Sequence, residues 1–219
     1  MAIEIYWGSG SAYSWRVLLA LEQKNLPYVS RLLQFSKQEH KAPEYLLLSP
    51  RGKVPTLRDG DVVLGESLAI LAYLERQYPD PPLFGRTAAE TGHVWQLISE
   101  YVSYLDGPAF EVVLPLYFGK VAEKGEQIRR ALPAVHAELY RMEAALARRL
   151  WLSGDRVSAA DLVAYPGIAS LQRAAAKPEA APLDLGLLPL ESRYPAIAAW
   201  TQRVAALPGY DRAYPPHWR

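Results

Sequence analysis

Between Pro79 and Gly85, three prolines and a glycine interrupt a 219-residue chain whose hydrophobic pattern differs on the two sides, and this break constrains the fold most. The stretch has neither strand nor helix period and reads as an inter-domain linker. Before it, two periods alternate. Ile3, Ile5 and Trp7 repeat every second residue, after which Val17, Leu18, Leu21 and Leu26 recur at helical spacing until Pro27 ends the run. The run from Tyr28 to Leu33 is again extended, the run from Pro43 to Leu48 reads as a short helix, and Pro50-Arg51-Gly52 as a turn. Short strands over 54–58 and 62–64 flank Asp59-Gly60, a strong hairpin dipeptide. Leu68, Leu71, Ala72 and Glu75 then share one helical stripe that ends near Tyr78. The order is β-α-β-α-β-β-α.

After the linker the period is helical throughout. Trp95, Ile98, Val102 and Leu105 mark a long helix that Gly107-Pro108 should break, and Val135, Leu139, Met142, Leu146 and Leu150 mark another. Ser158 and Asp161 form a capping box at the head of a third, with Val157 and Leu162 as its hydrophobic staple, and Pro166 should bend that helix. A fourth runs over 195–207, with Pro195 in its first turn. The expected architecture is an α/β first domain over 1–78, a linker over 79–85 and an all-α domain over 86–219.

Half the residues are hydrophobic, enough for a sizeable core, and Lys plus Arg exceed Asp plus Glu by only 24 to 23. That balance points away from nucleic acid and from acidic membrane surfaces. No run approaches the ~20 apolar residues of a membrane span, and the strand-like start lacks a basic leader, so a cytoplasmic protein is expected. Cysteine is absent, which removes disulfides, thiolate metal sites and a protein-borne thiol nucleophile. Any sulfur chemistry must use a ligand's sulfur.

Gly8-Ser9-Gly10-Ser11 joins the first strand to the first helix, where a dinucleotide fold carries its phosphate loop. Tyr13 stands where the third glycine belongs and no acid ends the second strand, so that reading is disfavoured. The loop still delivers small hydroxyls to a helix N-terminus, whose unpaired amides favour an anion such as a thiolate. His40, His93, His136 and His217 are scattered without close spacing, and no metal site is expected. Ser11 lacks the setting of a hydrolase nucleophile elbow.

Three segments in this order, Ser11-Ala12-Tyr13-Ser14-Trp15-Arg16-Val17, Gly52-Lys53-Val54-Pro55-Thr56-Leu57 and Gly65-Glu66-Ser67-Leu68-Ala69-Ile70, resemble the N-terminal domain of cytosolic glutathione transferases. The linker, the helical second half and the box Ser158-Ala159-Ala160-Asp161 resemble the family's C-terminal domain, so the likeness covers nearly the whole chain. It implies a thioredoxin-like first domain that binds glutathione as co-substrate, a helical domain that supplies an electrophile pocket, and a homodimer. The type resembled is serine-dependent, with tau-, zeta- and theta-like features.

By that resemblance Val54-Pro55 is a cis bond whose preceding backbone pairs with the cysteinyl unit, Glu66 and Ser67 hold the γ-glutamyl end, and Lys53 with His40 approach the glycine carboxylate. Ser67 also reads physically as an N-cap, since it immediately precedes a helical stripe. Counting back from Trp15-Arg16-Val17 makes Ser11 the thiol-activating residue; counting forward from Tyr6-Trp7 selects Ser9, and Tyr6 and Ser14 are further candidates. Tyr101, Tyr104, Tyr117 and Phe118 are candidates for the electrophile pocket, and Glu100 or Asp106 for an acid reaching a neighbour's glutathione. Each aromatic reads equally well as helix core.

One hydroxyl is enough for the chemistry. Lowering a thiol pKa of about 8.5 by two units requires roughly 2.7 kcal/mol. A hydrogen bond to a charged group supplies about 1.5–3 kcal/mol and a helix N-terminus roughly 0.3–1. Conjugation to a small electrophile is the expected reaction. Glutathione-dependent isomerase, peroxidase or dehalogenase chemistry and a catalytically silent binding module are the alternatives, and Ala12 and Tyr13 replace the serine and cysteine of the zeta-like isomerase motif.

Overall fold

The structure, a computed structural model, describes residues 2–219. It forms two compact units, one reaching to Leu83 and completed by Ala206–Arg219, the other Phe84–Ala205.

In the first unit β1 (Ile3–Trp7), α1 (Ala12–Gln23), β2 (Tyr28–Leu32), α2 (Pro43–Leu46), β3 (Thr56–Asp59), β4 (Val62–Leu64) and α3 (Ser67–Gln77) follow in the expected order. The sheet order is β2-β1-β3-β4, with β1 parallel to β2 and antiparallel to β3, and β4 antiparallel to β3. Alternation along β1 buries Ile3, Ile5 and Trp7 and turns Glu4 and Tyr6 outward, where Glu4 pairs with Arg31 at 2.6 Å. Almost all of α1 is buried, which is why it is apolar around nearly its whole circumference. Its leucines, Leu18, Leu19 and Leu21, each contribute about 1.5–3 kcal/mol by burial.

The segment read as a linker is tied down at its start. The buried Lys24 ammonium reaches Glu75 at 2.7 Å and donates to the carbonyls of Tyr78 and Pro81, while Leu83 N–H donates to the Glu75 carboxylate. The chain passes between units at Leu83 and Phe84, whose ring meets Trp95 at 5.0 Å.

The second unit contains α4 (Ala88–Glu100), α5 (Gly107–Tyr117), α6 (Val121–Leu146), α7 (Ala159–Ala175), α8 (Leu190–Arg193) and α9 (Pro195–Ala205). Gly107-Pro108 does not break the helical path as expected. A π-helical segment, Tyr101–Asp106, joins α4 to α5, and its wider turn accommodates a proline that offers no amide to the preceding turn. The helix α7 runs unbroken through Pro166. Its capping box forms, and more: the fully buried Asp161 carboxylate accepts from Ser158 N and Oγ at 2.9 Å each, from Leu152 N at 2.9 Å and from Trp200 Nε1 at 2.8 Å. The head of α9 is capped from α6, since Glu143 accepts from the amides of Ala196 and Ile197 at 2.9 Å. No helix of the described residues is long and apolar enough to cross a membrane.

Residues 206–219, which the sequence division leaves in the helical domain, pack with the first unit. They form α10 (Tyr210–Ala213) and a final 3-10 turn, Pro216–Trp218.

Candidate functional site

The register of the sheet brings the candidate residues to one edge. Trp7 at the end of β1 pairs with Leu32 at the end of β2, Tyr6 pairs with Thr56 at the start of β3, and Leu57 pairs with Leu64 at the end of β4. The connections after β1, after β2, before β3 and after β4 therefore all leave the same edge. They carry Ser11, His40, Lys53 with Val54, and Glu66 with Ser67, respectively.

Ser11 is the N-cap of α1, in extended backbone, and its Oγ accepts from Ser14 N–H at 3.2 Å. One lone pair satisfies the helix end and the hydroxyl proton is left to donate. Two of the three competing hydroxyls are engaged elsewhere: Tyr6 Oη donates to Glu4 at 3.3 Å on the outer face of β1, and Ser9 Oγ lies 2.5 Å from His217 Nδ1. The Ser14 hydroxyl accepts from Gly8 N–H at 3.4 Å.

The expectation that Ser67 caps α3 is corrected. Glu66 is the N-cap, at φ 61° and ψ 111°, and Ser67 is the first helical residue; neither side chain caps the helix. Left-handed backbone at a glutamate is uncommon and costs of order 1–3 kcal/mol, and strain of this kind concentrates where a ligand is held. Like α6, and unlike α1, α4, α7 and α9, α3 has no side-chain cap at its head, so its N-terminal field is open to a carboxylate.

Val54 precedes β3 and stands outside the ladder, and its bond to Pro55 is cis, as the resemblance implies. The loop ahead of it is fixed by Tyr45 of α2 and by Ser49 just beyond that helix, whose Oη and Oγ donate to the Lys53 carbonyl at 2.6 and 3.0 Å. The Lys53 side chain is exposed. His40 stands in a 3-10 turn, Glu39–Lys41, with its ring 5.1 Å from that of Phe35. Partial burial first, and then the ammonium groups of Lys41 and Lys53, hold its imidazole below the ordinary histidine range. It is neutral near pH 7 and offers a hydrogen bond, not a charge. Its Nδ1 is covered and has no hydrogen-bond partner among the described residues.

The four aromatic candidates in the helical unit divide. Tyr101 is buried with its hydroxyl against the Cα of Gly167, and Tyr117 donates to the Ser170 carbonyl at 3.3 Å, so both pack helices together. Tyr104 and Phe118 are exposed. Two residues near the edge have no role in the sequence reading. Lys41 reaches the Arg51 carbonyl at 3.2 Å, and its charge beside His40 was legible. His217 had no local signal at all.

Comparison with known proteins gives the family. Residues 7–82 match the family model described as glutathione S-transferase, N-terminal domain, and residues 94–208 the one described as glutathione S-transferase, C-terminal domain. The chain is 31% identical over 219 residues to glutathione S-transferase A of Pleuronectes platessa, covering 98% of this chain and 92% of that protein. It is 29% identical to human glutathione S-transferase theta-1, covering 96% and 85%. Among solved structures, a glutathione S-transferase from the Antarctic clam Laternula elliptica superposes with a TM-score of 0.85 at 32% identity, covering 100% of this chain and 94% of that one.

Proposed function

The chain belongs to the glutathione S-transferase family and is a glutathione transferase, and from that premise we propose that Ser11 activates the glutathione thiol for attack on a small electrophile. The observation that carries this reading is the division of labour at the Ser11 oxygen. It accepts from Ser14 N–H, which orients the hydroxyl at the head of α1, and its proton remains to donate to a thiolate. A donor and a helix N-terminus converge on one spot, and the two supply together the ~2.7 kcal/mol that a two-unit fall in thiol pKa needs.

Glutathione's charged ends lie further along the same edge in this reading. The γ-glutamyl carboxylate takes the uncapped amides of α3 and the Ser67 hydroxyl, and Glu66 pairs with its ammonium. The cysteinyl backbone meets Val54, and the glycine carboxylate meets Lys53 with His40. Titrating the thiolate of bound glutathione in the wild type and in Ser11→Ala tests the assignment. An unchanged thiol pKa in the variant removes it.

Cytosolic placement and assembly as a homodimer are proposed on the family likeness. For an acid that reaches a neighbour's glutathione, exposed Glu100 is better placed than the buried Asp106.

A further inference from the structure

The last fourteen residues are fastened to α1 along its length. Near the end of that helix, Gln23 donates to the Pro208 carbonyl at 2.9 Å and Arg212 Nε donates to the buried Glu22 carboxylate at 2.8 Å. Near its start, the buried Trp15 ring meets Tyr210, Tyr214 and Trp218 at 6.0, 5.6 and 5.5 Å. These anchors set the final turn against the loop that precedes Ser11. There His217 Nδ1 lies 2.5 Å from Ser9 Oγ, and its ring lies over Gly10, where a Cβ would fall 2.9 Å from Cε1.

That loop needs holding. It consists of Ser9 between two glycines, with Gly10 at φ +83°, and glycine backbone has the most conformations to lose. Its own bonds are the 3.1 Å contact of Ser11 N–H with the Gly8 carbonyl and a long one from Gly8 N–H to Ser14 Oγ. Outside restraint comes from the Phe35 ring, which leaves no room for a Cβ on Gly8, and from His217 on Ser9 and Gly10.

We propose that His217 is a positioning residue for thiol activation: through Ser9 and Gly10 it fixes the loop that delivers the Ser11 hydroxyl, making the C-terminal turn part of the glutathione site. The inference rests on the Ser11 reading above. The His217 ring also meets that of Trp218 at 5.8 Å, but Tyr210 and Tyr214 hold Trp15 without it and the Ser9 contact is exposed, so variants at His217 are expected to keep the fold.

The test uses the full chain with glutathione and an activated aryl halide, on His217→Ala, His217→Asn, Ser9→Ala, the His217→Ala/Ser9→Ala double variant and Ser11→Ala. An ångström-scale misplacement costs up to about 100-fold in rate; here His217→Ala is expected to lower kcat about tenfold, with the KM for glutathione changed less than about threefold. The thiol pKa of bound glutathione should rise by roughly one unit. Asn, which keeps a polar atom near the Nδ1 position, should restore most of both, and the double variant should be no worse than either single one. An unchanged thiol pKa in His217→Ala, alongside a raised one in Ser11→Ala, overturns the inference and leaves the Ser11 assignment standing. A rate loss that follows the melting temperature without moving the thiol pKa overturns it too. If Ser11→Ala leaves the pKa in place, the Ser11 assignment falls and this inference with it.

Discussion

The Ser9 hydroxyl and the His217 imidazole, 208 positions apart in the chain, meet at 2.5 Å, while Ser11, two residues beyond Ser9, turns its oxygen to the amide of Ser14 at 3.2 Å. Two serines of one loop thus have different duties. Ser9 is joined to the tail, and Ser11 heads a helix with a donor to spare.

Ser11→Ala should lower kcat/KM at neutral pH by about one to two orders of magnitude, as the loss of roughly 1.5–3 kcal/mol implies, while the Kd for glutathione moves far less. The pH-rate profile should shift toward the free thiol, so that the variant recovers part of its deficit in alkaline buffer. Because Ser11 also caps α1, about 1 kcal/mol of stability should go with it, read from chemical denaturation.

Ser67→Ala and Glu66→Gln should show the opposite pattern. Each is expected to raise the Kd for glutathione about tenfold, near 1.4 kcal/mol, with the thiol pKa of the bound molecule unchanged. Lys53→Ala should cost less and its effect should fade with added salt, because an exposed ammonium is screened. Calorimetric titration at two ionic strengths separates the cases; a Ser67→Ala protein that binds normally would remove the γ-glutamyl assignment.

Asp161→Ala should be destabilising by about 3 kcal/mol or more, above the ~1 kcal/mol of an ordinary cap, because four donors lose a buried acceptor together. Glutathione should still bind to the folded fraction. Urea denaturation measures the loss, and a fully stable variant without turnover would give Asp161 a catalytic role instead.

His136 should make the protein acid-sensitive. Its Nε2–H donates to the Leu185 carbonyl at 2.9 Å and its Nδ1 accepts from Tyr194 at 2.5 Å, an arrangement that uses the neutral ring. Burial first, and then the Arg193 charge, hold its pKa below the ordinary value. The unfolded chain therefore takes up the proton at higher pH than the folded one, so the contribution is complete above about pH 6.5 and is lost as pH falls toward the depressed value. Melting temperatures between pH 7.5 and 5 should show this fall, and His136→Gln should flatten that part of the curve; an equal fall in the variant would assign the effect elsewhere.

Sedimentation at micromolar concentration should give a species of twice the 24.5 kDa chain mass. A protein that remains a monomer there would end the proposal of a homodimer, and with it any role for Glu100 in a neighbouring site.

What was legible in the amino-acid sequence is what short-range physics writes there. The strand period of Ile3, Ile5 and Trp7, the Asp59-Gly60 hairpin, the Ser158–Asp161 box and the change of period around the prolines all depend on neighbours within about one turn. They were enough for the element order, and the motif spacing was enough for the family. Other features depended on contacts that no local pattern records. Whether Ser67 or Glu66 begins α3 turned on one left-handed residue, and whether Gly107-Pro108 breaks a helix or follows a π-turn turned on the packing around Tyr101–Asp106. The return of the tail was the least visible. Tyr210, Tyr214 and Trp218 carry large rings, but burial is non-directional, so nothing in the sequence pattern says what they pack against. Only the folded chain sets them on Trp15, and that contact carries His217 to the loop of Ser9 and Ser11.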